Sequence, residues 1–582
     1  MEASTARVSR QAAPADSGAA AIVRALAEAG TRLMFGVPGG GPNLDVVGAA
    51  EAAGLRFVLA RGETAAVIMA AACAELTGAP GAVVVTRGPG LASAVNGIAH
   101  AALDRLPVVV IADTVAAADA GRISHQRIDQ AGLGRSVAKA VITVGGPDAG
   151  EAAARTVRTA LAAPAGPVIA TMDDGAQDQD GRGGPTTPTE AQTQAGLVAE
   201  AARAGASVLA EAVRSARRPV LLLGTGAIPH TAAIRNALAG RGLPALHTYR
   251  ARGVIPDPAP EAAGLVTGGT MEWPLLATAD LIIGLGLDEA EMIPAPWEYA
   301  ARTIMVAEPG TGHGGYFTGA TELEMPLADA AGVLAGGPGH DWPPGAGRAA
   351  QADAAARLAA AAVAAPGRLT PQQVVTTVRA HTPAETIATV DAGAHMLVAM
   401  PLWEVPEPHR LLVSSGLATM GYALPAAIAA ALCAPRTPVV AFTGDGGLGM
   451  TLAEIETAVR LSLRVAVIVF NDAALSLIKI KQKPSGQGGE EAVRYRPVSF
   501  AAAATALGAA GAAVTTEPDL AAALAAALRR PGPTVIDASV DPAGYPAVMD
   551  LSRGQAGRRI VPGLSRAPRP PRGQPRAKED AQ

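Results

Sequence analysis

The chain has 582 residues, 49% hydrophobic and only 3% aromatic, with 47 basic side chains against 51 acidic ones and a net charge of −4. That length exceeds a single core and points to about three domains, while the charge balance leaves no electrostatic footprint for nucleic acid. No apolar run reaches membrane-spanning length without polar breaks, and the N-terminus lacks the apolar core of a signal peptide, so a soluble cytoplasmic protein is expected.

Residues 1–16 have the composition of a disordered N-terminus. Between 17 and 175, the runs "RLMFGV", "RFVLA", "GAVVVT" and "LPVVVIA" read as strands, and 17–29, 63–77 and 91–104 as helices. A polar, Gly/Pro-rich linker (173–196) leads into a second unit, 190–340, with strands "RPVLLLG", "LIIGLG" and "RTIMVA". A second linker (335–347) and a helical connector lead into a third unit, 365–550, with strands "TIATVD", "TPVVAFTG", "RVAVIVFN" and "GPTVIDAS" and helices at 452–461 and 518–529. From 551 to 582 the chain is basic and proline-rich, which reads as a disordered tail, with a nucleic-acid or partner arm as the alternative. Continuous apolar strands separated by helices mean parallel sheets covered on both faces. The expected fold class is therefore α/β, with three doubly wound parallel-sheet domains whose ligands bind beyond the carboxyl ends of the strands. Cys73 and Cys433 lie in separate apolar helices and read as buried thiols, without a disulfide framework or a cysteine metal site.

The stretch "AFTGDGGLGM" places Asp445 among glycines directly after a strand, and the next strand ends in Asn471. Adjacent strand ends bring a carboxylate and a carboxamide side by side, an oxygen-only set that suits Mg²⁺ beside a phosphate. Gly444, Gly446 and Gly447 let backbone approach that phosphate, and the helix from about Leu452 is expected to point its N-terminus at the same place. The alternative is a glycine-rich turn with Asp445 as a helix cap.

Gly-Asp-Gly followed by a helix, a strand and Asn471 resembles the diphosphate anchor of thiamine diphosphate enzymes, and nearly the whole chain resembles the acetolactate synthase-like family of that class. The resemblance implies a pyrimidine-binding domain, a central Rossmann-like domain and a diphosphate-binding domain, in that order. It implies Mg²⁺ held by Asp445, Asn471 and the backbone carbonyl of Ala473. "FGVPGGG", with Gly39 and Gly40, and "TRGPG", with Gly88, resemble the family's loops around its one glutamate, here Glu63 after "RFVLA". Glu63 is the expected catalytic acid: a carboxylic acid in a dry pocket hydrogen-bonds the pyrimidine N1′ and lets the cofactor activate its own C2. At a helix start, Glu63 also suits the dipole without any catalytic role. In "SSGLATMGYALPAA", Met420 is the expected support for the bent cofactor, with the Ala418 carbonyl facing its amino group; the family usually has glycine at 418. Ordinary core filling is the other reading of Met420. "VDAGAHM" resembles the loop with Gly393 and His395 that touches the cofactor. The family's sites form between subunits, so a homodimer, or dimers paired into a tetramer, is implied.

The substrate pocket departs from the family. "SHQRIDQ" has His125 and Arg127 where acetolactate synthases have Phe and Glu, and keeps Gln126 and Asp129; "LSLIKIKQ" has Leu477 for Met and Lys481 for Trp. A less aromatic, more basic pocket suits a 2-oxo acid or acceptor with a second anionic group, unless the lysines face solvent. Lys479 and Lys481 share an orientation only if this stretch is extended. FAD occurs in some relatives, but Gly286 replaces their flavin-binding Arg, so tight FAD is not expected. The resulting expectation is a thiamine diphosphate- and Mg²⁺-dependent carboligase. The rivals are a simple 2-oxo acid decarboxylase, a flavin-dependent oxidase, a C–C lyase or hydrolase, and a catalytically silent binding subunit.

Overall fold

The computed structural model describes residues 17–115, 119, 121–172, 188–293, 296–311, 315–482 and 489–554. The expected disordered N-terminus and nearly all of the basic tail lie outside the described residues.

Three six-stranded, wholly parallel sheets follow one another along the chain. The first holds β1 (Leu33–Val37), β2 (Arg56–Leu59), β3 (Gly81–Val85), β4 (Val108–Asp113), β5 (Ala140–Val144) and β6 (Val168–Met172), in the order β2-β1-β3-β4-β6-β5. The second holds β7 (Pro219–Leu223), β8 (Ala245–His247), β9 (Ala262–Leu265), β10 (Leu281–Leu285), β11 (Arg302–Ala307) and β12 (Thr321–Glu324), in the order β12-β11-β10-β7-β8-β9. The third holds β13 (Ile387–Val390), β14 (Leu411–Val413), β15 (Val439–Gly444), β16 (Ala466–Asn471), β17 (Ala510–Val514) and β18 (Thr534–Ser539), in the order β14-β13-β15-β16-β18-β17. The first and third sheets thus share one topology. Their central strands, such as "VVVIAD" and "AVIVFN", are apolar without alternation because helices cover both faces.

Two alanine-rich helices join the first domain to the third. Glu63–Thr77 and Ala423–Cys433 are apolar around most of their circumference and lie in one buried cluster, as expected for helices enclosed on all sides. Small side chains let their axes approach closely. Near their far ends Cys73 and Cys433, expected to be buried thiols, stand as free thiols with their sulfurs 2.8 Å apart; Cys73 is buried, but Cys433 is only half-buried.

The central domain is tied in by charge. Arg250 is buried and reaches the Glu75 carboxylate at 3.2 Å and the Asp104 backbone oxygen at 2.7 Å. Glu75 and Asp104 help hold the guanidinium charged against the cost of burial. The last helix, Tyr545–Arg553, runs past residue 550 and docks on the central domain, where Thr270 donates from its backbone N–H to the Leu551 carbonyl at 2.9 Å. Among the described residues no helix is long and apolar enough to cross a membrane.

Candidate active site

In the third sheet the chain order reverses between β13 and β15, so a crevice opens beyond their carboxyl ends. Asp391, directly after β13, is 1% exposed and accepts from Thr443 Oγ1 (2.9 Å), Tyr422 N (3.2 Å) and Ala392 N (2.9 Å). Burial pushes its carboxyl up to about 6, against the pull of these hydrogen bonds. Gly447 packs on it, and a Cβ there would lie 2.4 Å from Asp391 Oδ2. Gly393 and Gly444 flank the His395 ring, with hypothetical Cβ positions 2.7 and 3.3 Å from its nearest atoms. His395 stacks on Phe470 with ring centroids 5.2 Å apart. Burial lowers its pKa to about 4, so it is neutral at pH 7, and its buried Nε2 has no partner.

The helix after β15 begins at Asp445 itself (Asp445–Thr451) and a second follows at Glu454–Arg460, so the expected single helix from Leu452 is corrected. Extended Gly444 caps it, and the glycines after Asp445 form its first turn. Asp445 Oδ1 accepts from Gly446 N (2.6 Å), and Oδ2 from Asp472 N (3.3 Å) and Ala474 N (3.2 Å). Asn471 Nδ2 donates to Val498 O and Asp537 Oδ1, both at 2.9 Å. Those bonds commit the donor end of the amide and leave Oδ1 as its acceptor. Ala473 adopts φ +57°. Asp445, Asn471 and Ala473 line one cavity of about 310 Å³. Asp445 and Gly446 also line a neighbouring cavity of about 290 Å³ together with Gly393, His395, Ala418 and Met420.

The residues fit the implied groups. One carboxylate, one amide oxygen and one backbone carbonyl make an oxygen set for Mg²⁺. The glycines leave open space that side chains would fill: a Cβ on Gly446 would stand 2.9 Å from Tyr495 Oη and 3.2 Å from Met420 Cε. The unpartnered His395 Nε2 awaits a polar ligand.

The 414–420 loop, which carries Ala418 and Met420, is clamped by the helix Pro89–Leu103 and the residue that follows it. The Asp104 carboxylate accepts from Gly416 N (2.6 Å) and Ser415 N (3.2 Å), His100 Nδ1 contacts Ser414 Oγ (3.0 Å), and Thr419 Oγ1 donates to Asn96 Oδ1 (2.8 Å). Ala418 is held at φ +51°. No motif marked Asn96, His100 or Asp104.

Residues 476–481 are helical, not extended. Leu477 and Lys481, four apart, therefore share a face and both line the 290 Å³ cavity. Lys479 points elsewhere and pairs with Glu490 at 3.6 Å. Arg553, which sequence reasoning placed in the tail, lines the same cavity with a buried, unpartnered Nη1.

The first-domain residues gather at a different edge. Glu63 opens its helix, and the preceding Arg61 and Gly62 amides donate to Glu454 Oε1 at 2.9 and 3.1 Å. Gly39 N donates to Asn43 Oδ1, while Gly40 has open space around it. Gly88, at φ +64°, sits against the Gln126 carbonyl, 2.3 Å from where a Cβ would be. His125 and Gln126 are exposed. None of Glu63, Gly39, Gly40, Gly88, His125 and Gln126 lines the two cavities of the third domain. In the central domain, Gly224 and Gly226 pack directly on Gly286, so that Gly-x-Gly serves a contact between strand-end loops.

Comparisons with known proteins match three successive stretches of the chain. Residues 16–133 match the thiamine pyrophosphate enzyme N-terminal TPP binding domain, 206–308 the central domain and 391–538 the C-terminal TPP binding domain. The chain is 29% identical to acetolactate synthase isozyme 1 large subunit of Escherichia coli, over 90% of this chain and 94% of that one. It is 30% identical to the catabolic acetolactate synthase of Raoultella terrigena, over 91% and 96%. It is 31% identical to a 2-hydroxyacyl-CoA lyase of Oryza sativa, over 90% and 95%.

Proposed function

The chain belongs to the thiamine pyrophosphate enzyme family, and from that premise we propose an acetolactate synthase-like enzyme that decarboxylates a 2-oxo acid and joins the remaining fragment to a second carbonyl. When bound, thiamine diphosphate supplies the nucleophilic carbon and the electron sink for loss of CO₂. The chain's own residues bind, orient and protonate. Asp445, Asn471 Oδ1 and the Ala473 carbonyl would hold Mg²⁺ at the diphosphate. Gly393, Gly444, Gly446 and Gly447 would give it room, neutral His395 would offer Nε2, and Met420 would support the cofactor. Glu63 holds a proton at the pyrimidine N1′.

Glu63, Gly39 and Gly40 do not line the third-domain cavities, so the working site is assembled from two copies of the chain, in a cytoplasmic homodimer or tetramer. Lys481 and Arg553 line the cavity that Asp445 and Asp472 also line, and these two cations support a substrate or acceptor with a second anionic group. His125 and Gln126 reach it from the other copy. The similarity to a 2-hydroxyacyl-CoA lyase favours a second reading, carbon–carbon cleavage without loss of CO₂ on the same cofactor.

The observation that carries the proposal is the meeting of Asp445, Asn471 and Ala473 in one cavity beside Met420 and His395. Calorimetric titration of apo-protein with thiamine diphosphate, with and without Mg²⁺, tests it. Mg²⁺-dependent binding is expected in the wild type and is lost in Asp445→Ala. A folded wild type that binds no cofactor refutes it. A panel of 2-oxo acids assayed for CO₂ then separates the two readings.

A further inference from the structure

Cys73 and Cys433 are the only cysteines of the chain. They are 360 positions apart in sequence, yet their sulfurs lie 2.8 Å from each other as free thiols. A disulfide has an S–S distance of about 2.05 Å, so closing this pair takes a movement of about 0.8 Å. Both residues sit on helices that pack together through alanines in one buried cluster, so the bond would join two elements already in contact. The two thiols are not equivalent. Cys73 is buried, and its hydrogen bond to Cys433 together with burial pushes its pKa well up. Cys433 is half-buried, and the same hydrogen bond draws its pKa down. A half-buried thiol in contact with a buried one is the arrangement of a reacting and a resolving cysteine.

We propose that Cys73 and Cys433 form a redox site that a hydroperoxide oxidant converts into an intrachain disulfide, stapling the first domain to the third. Cys433 gives up its proton and its thiolate sulfur attacks one oxygen of hydrogen peroxide; the O–O bond breaks, Cys433 becomes a sulfenic acid, and the departing hydroxide takes the proton as water. Cys73 gives up its proton and its sulfur attacks the sulfenic sulfur; the S–O bond breaks and the departing hydroxide takes the proton as water. Two thiols and one peroxide give one disulfide and two waters. Dithiol reductants reverse it by exchange. The staple has a functional address. The Cys73 helix starts at Glu63, and the Cys433 helix follows the loop of Ala418 and Met420, so the bond fixes the two elements relative to each other. The inference stands independently of the proposed reaction.

The test uses the full chain treated with equimolar hydrogen peroxide at neutral pH, with thiol labelling, intact mass and a non-reducing peptide map. Expected are loss of both labelled thiols, a mass lower by two hydrogens, one peptide pair joining Cys73 to Cys433, and full recovery with dithiothreitol. The oxidised protein melts at a higher temperature than the reduced one. Cys433→Ala leaves Cys73 unreactive, whereas Cys73→Ser, treated with two or more equivalents of peroxide, lets Cys433 advance to sulfinic acid. The map of the wild type decides even if a variant folds poorly. Cross-links only between chains, a sulfinic Cys433 beside a free Cys73 in the wild type, or identical melting of the two forms would overturn the proposal.

Discussion

Asp104→Asn tests whether the first domain holds the cofactor loop in shape. The carboxylate is 2% exposed and accepts from two backbone N–H groups, Gly416 at 2.6 Å and Ser415 at 3.2 Å; it also meets His100 at 2.9 Å and faces Arg250 at 4.0 Å. Burial pushes its pKa up, but Arg250, the two His100 contributions and the Gly416 amide outweigh it, so the net shift is downward. A lowered carboxyl pKa stabilises the fold above its unfolded value and ceases to do so as pH falls through the folded one. Asparagine keeps the shape but has one acceptor oxygen, so one N–H donor meets an NH₂ group and the Arg250 charge loses a partner. Breaking such a buried, paired charge costs about 3 kcal/mol or more. For a unit of this domain's size, that lowers Tm by about 6–12 °C.

The site should respond as well. Ala418 sits at φ +51°, a region that costs a residue with a Cβ about 1–2 kcal/mol. A freed loop relaxes out of it, and binding must restore it, so thiamine diphosphate affinity falls about 5–30-fold. Scanning fluorimetry and calorimetric titration at neutral pH measure both. Asp104→Asn with wild-type melting and a cofactor Kd within about twofold of wild type would show that the clamp holds nothing.

Other outcomes follow from the same geometry. Glu63→Gln should lower turnover by about 10²–10⁴-fold with a smaller change in cofactor Kd; near-normal turnover in steady-state assays removes Glu63 from the acid role. Gly447→Ala, whose Cβ would lie 2.4 Å from Asp391 Oδ2, should cost about 1–3 kcal/mol, read as a lower Tm. Gly449→Ala in the same helix, with nothing within 4 Å of its Cβ, is the matched control and should melt no lower than wild type. His247 is buried with its pKa lowered to about 4. Between its ordinary 6.5 and that value the unfolded chain takes up a proton that the folded chain refuses, so acidification removes about 3 kcal/mol of stability through this residue. His247→Gln should flatten the fall in urea midpoint from neutral to acid pH, and parallel wild-type and variant curves would contradict it.

The strands visible in the sequence were those with apolar, mostly β-branched runs, such as β3, β4 and β16. Five of the seven not expected, β5, β9, β12, β14 and β17, are sheet edges. An edge strand pairs on one side only; "TELE" of β12, exposed at three of its four positions, does not look like a buried run. The cofactor residues were legible because backbone geometry fixes their spacing: Asp445 directly follows β15 and Asn471 ends the neighbouring β16, and Gly447 is small because Asp391 leaves no space. Asn96, His100, Asp104 and Arg553 carried no signal because each gains its role from a partner hundreds of residues away or from a helix continuing past residue 550. Composition nevertheless held a trace of the cross-domain contact. A run such as "AAACAEL" has too little side-chain volume to fill a core by itself. It can be fully buried only if another small-residue helix comes close, and "AAIAAALC" is that partner. The same alanines that bring the two helices together bring Cys73 to Cys433 and set the first domain against the Met420 loop. In this chain the abundance of small side chains is therefore a condition of the site and not merely a compositional bias.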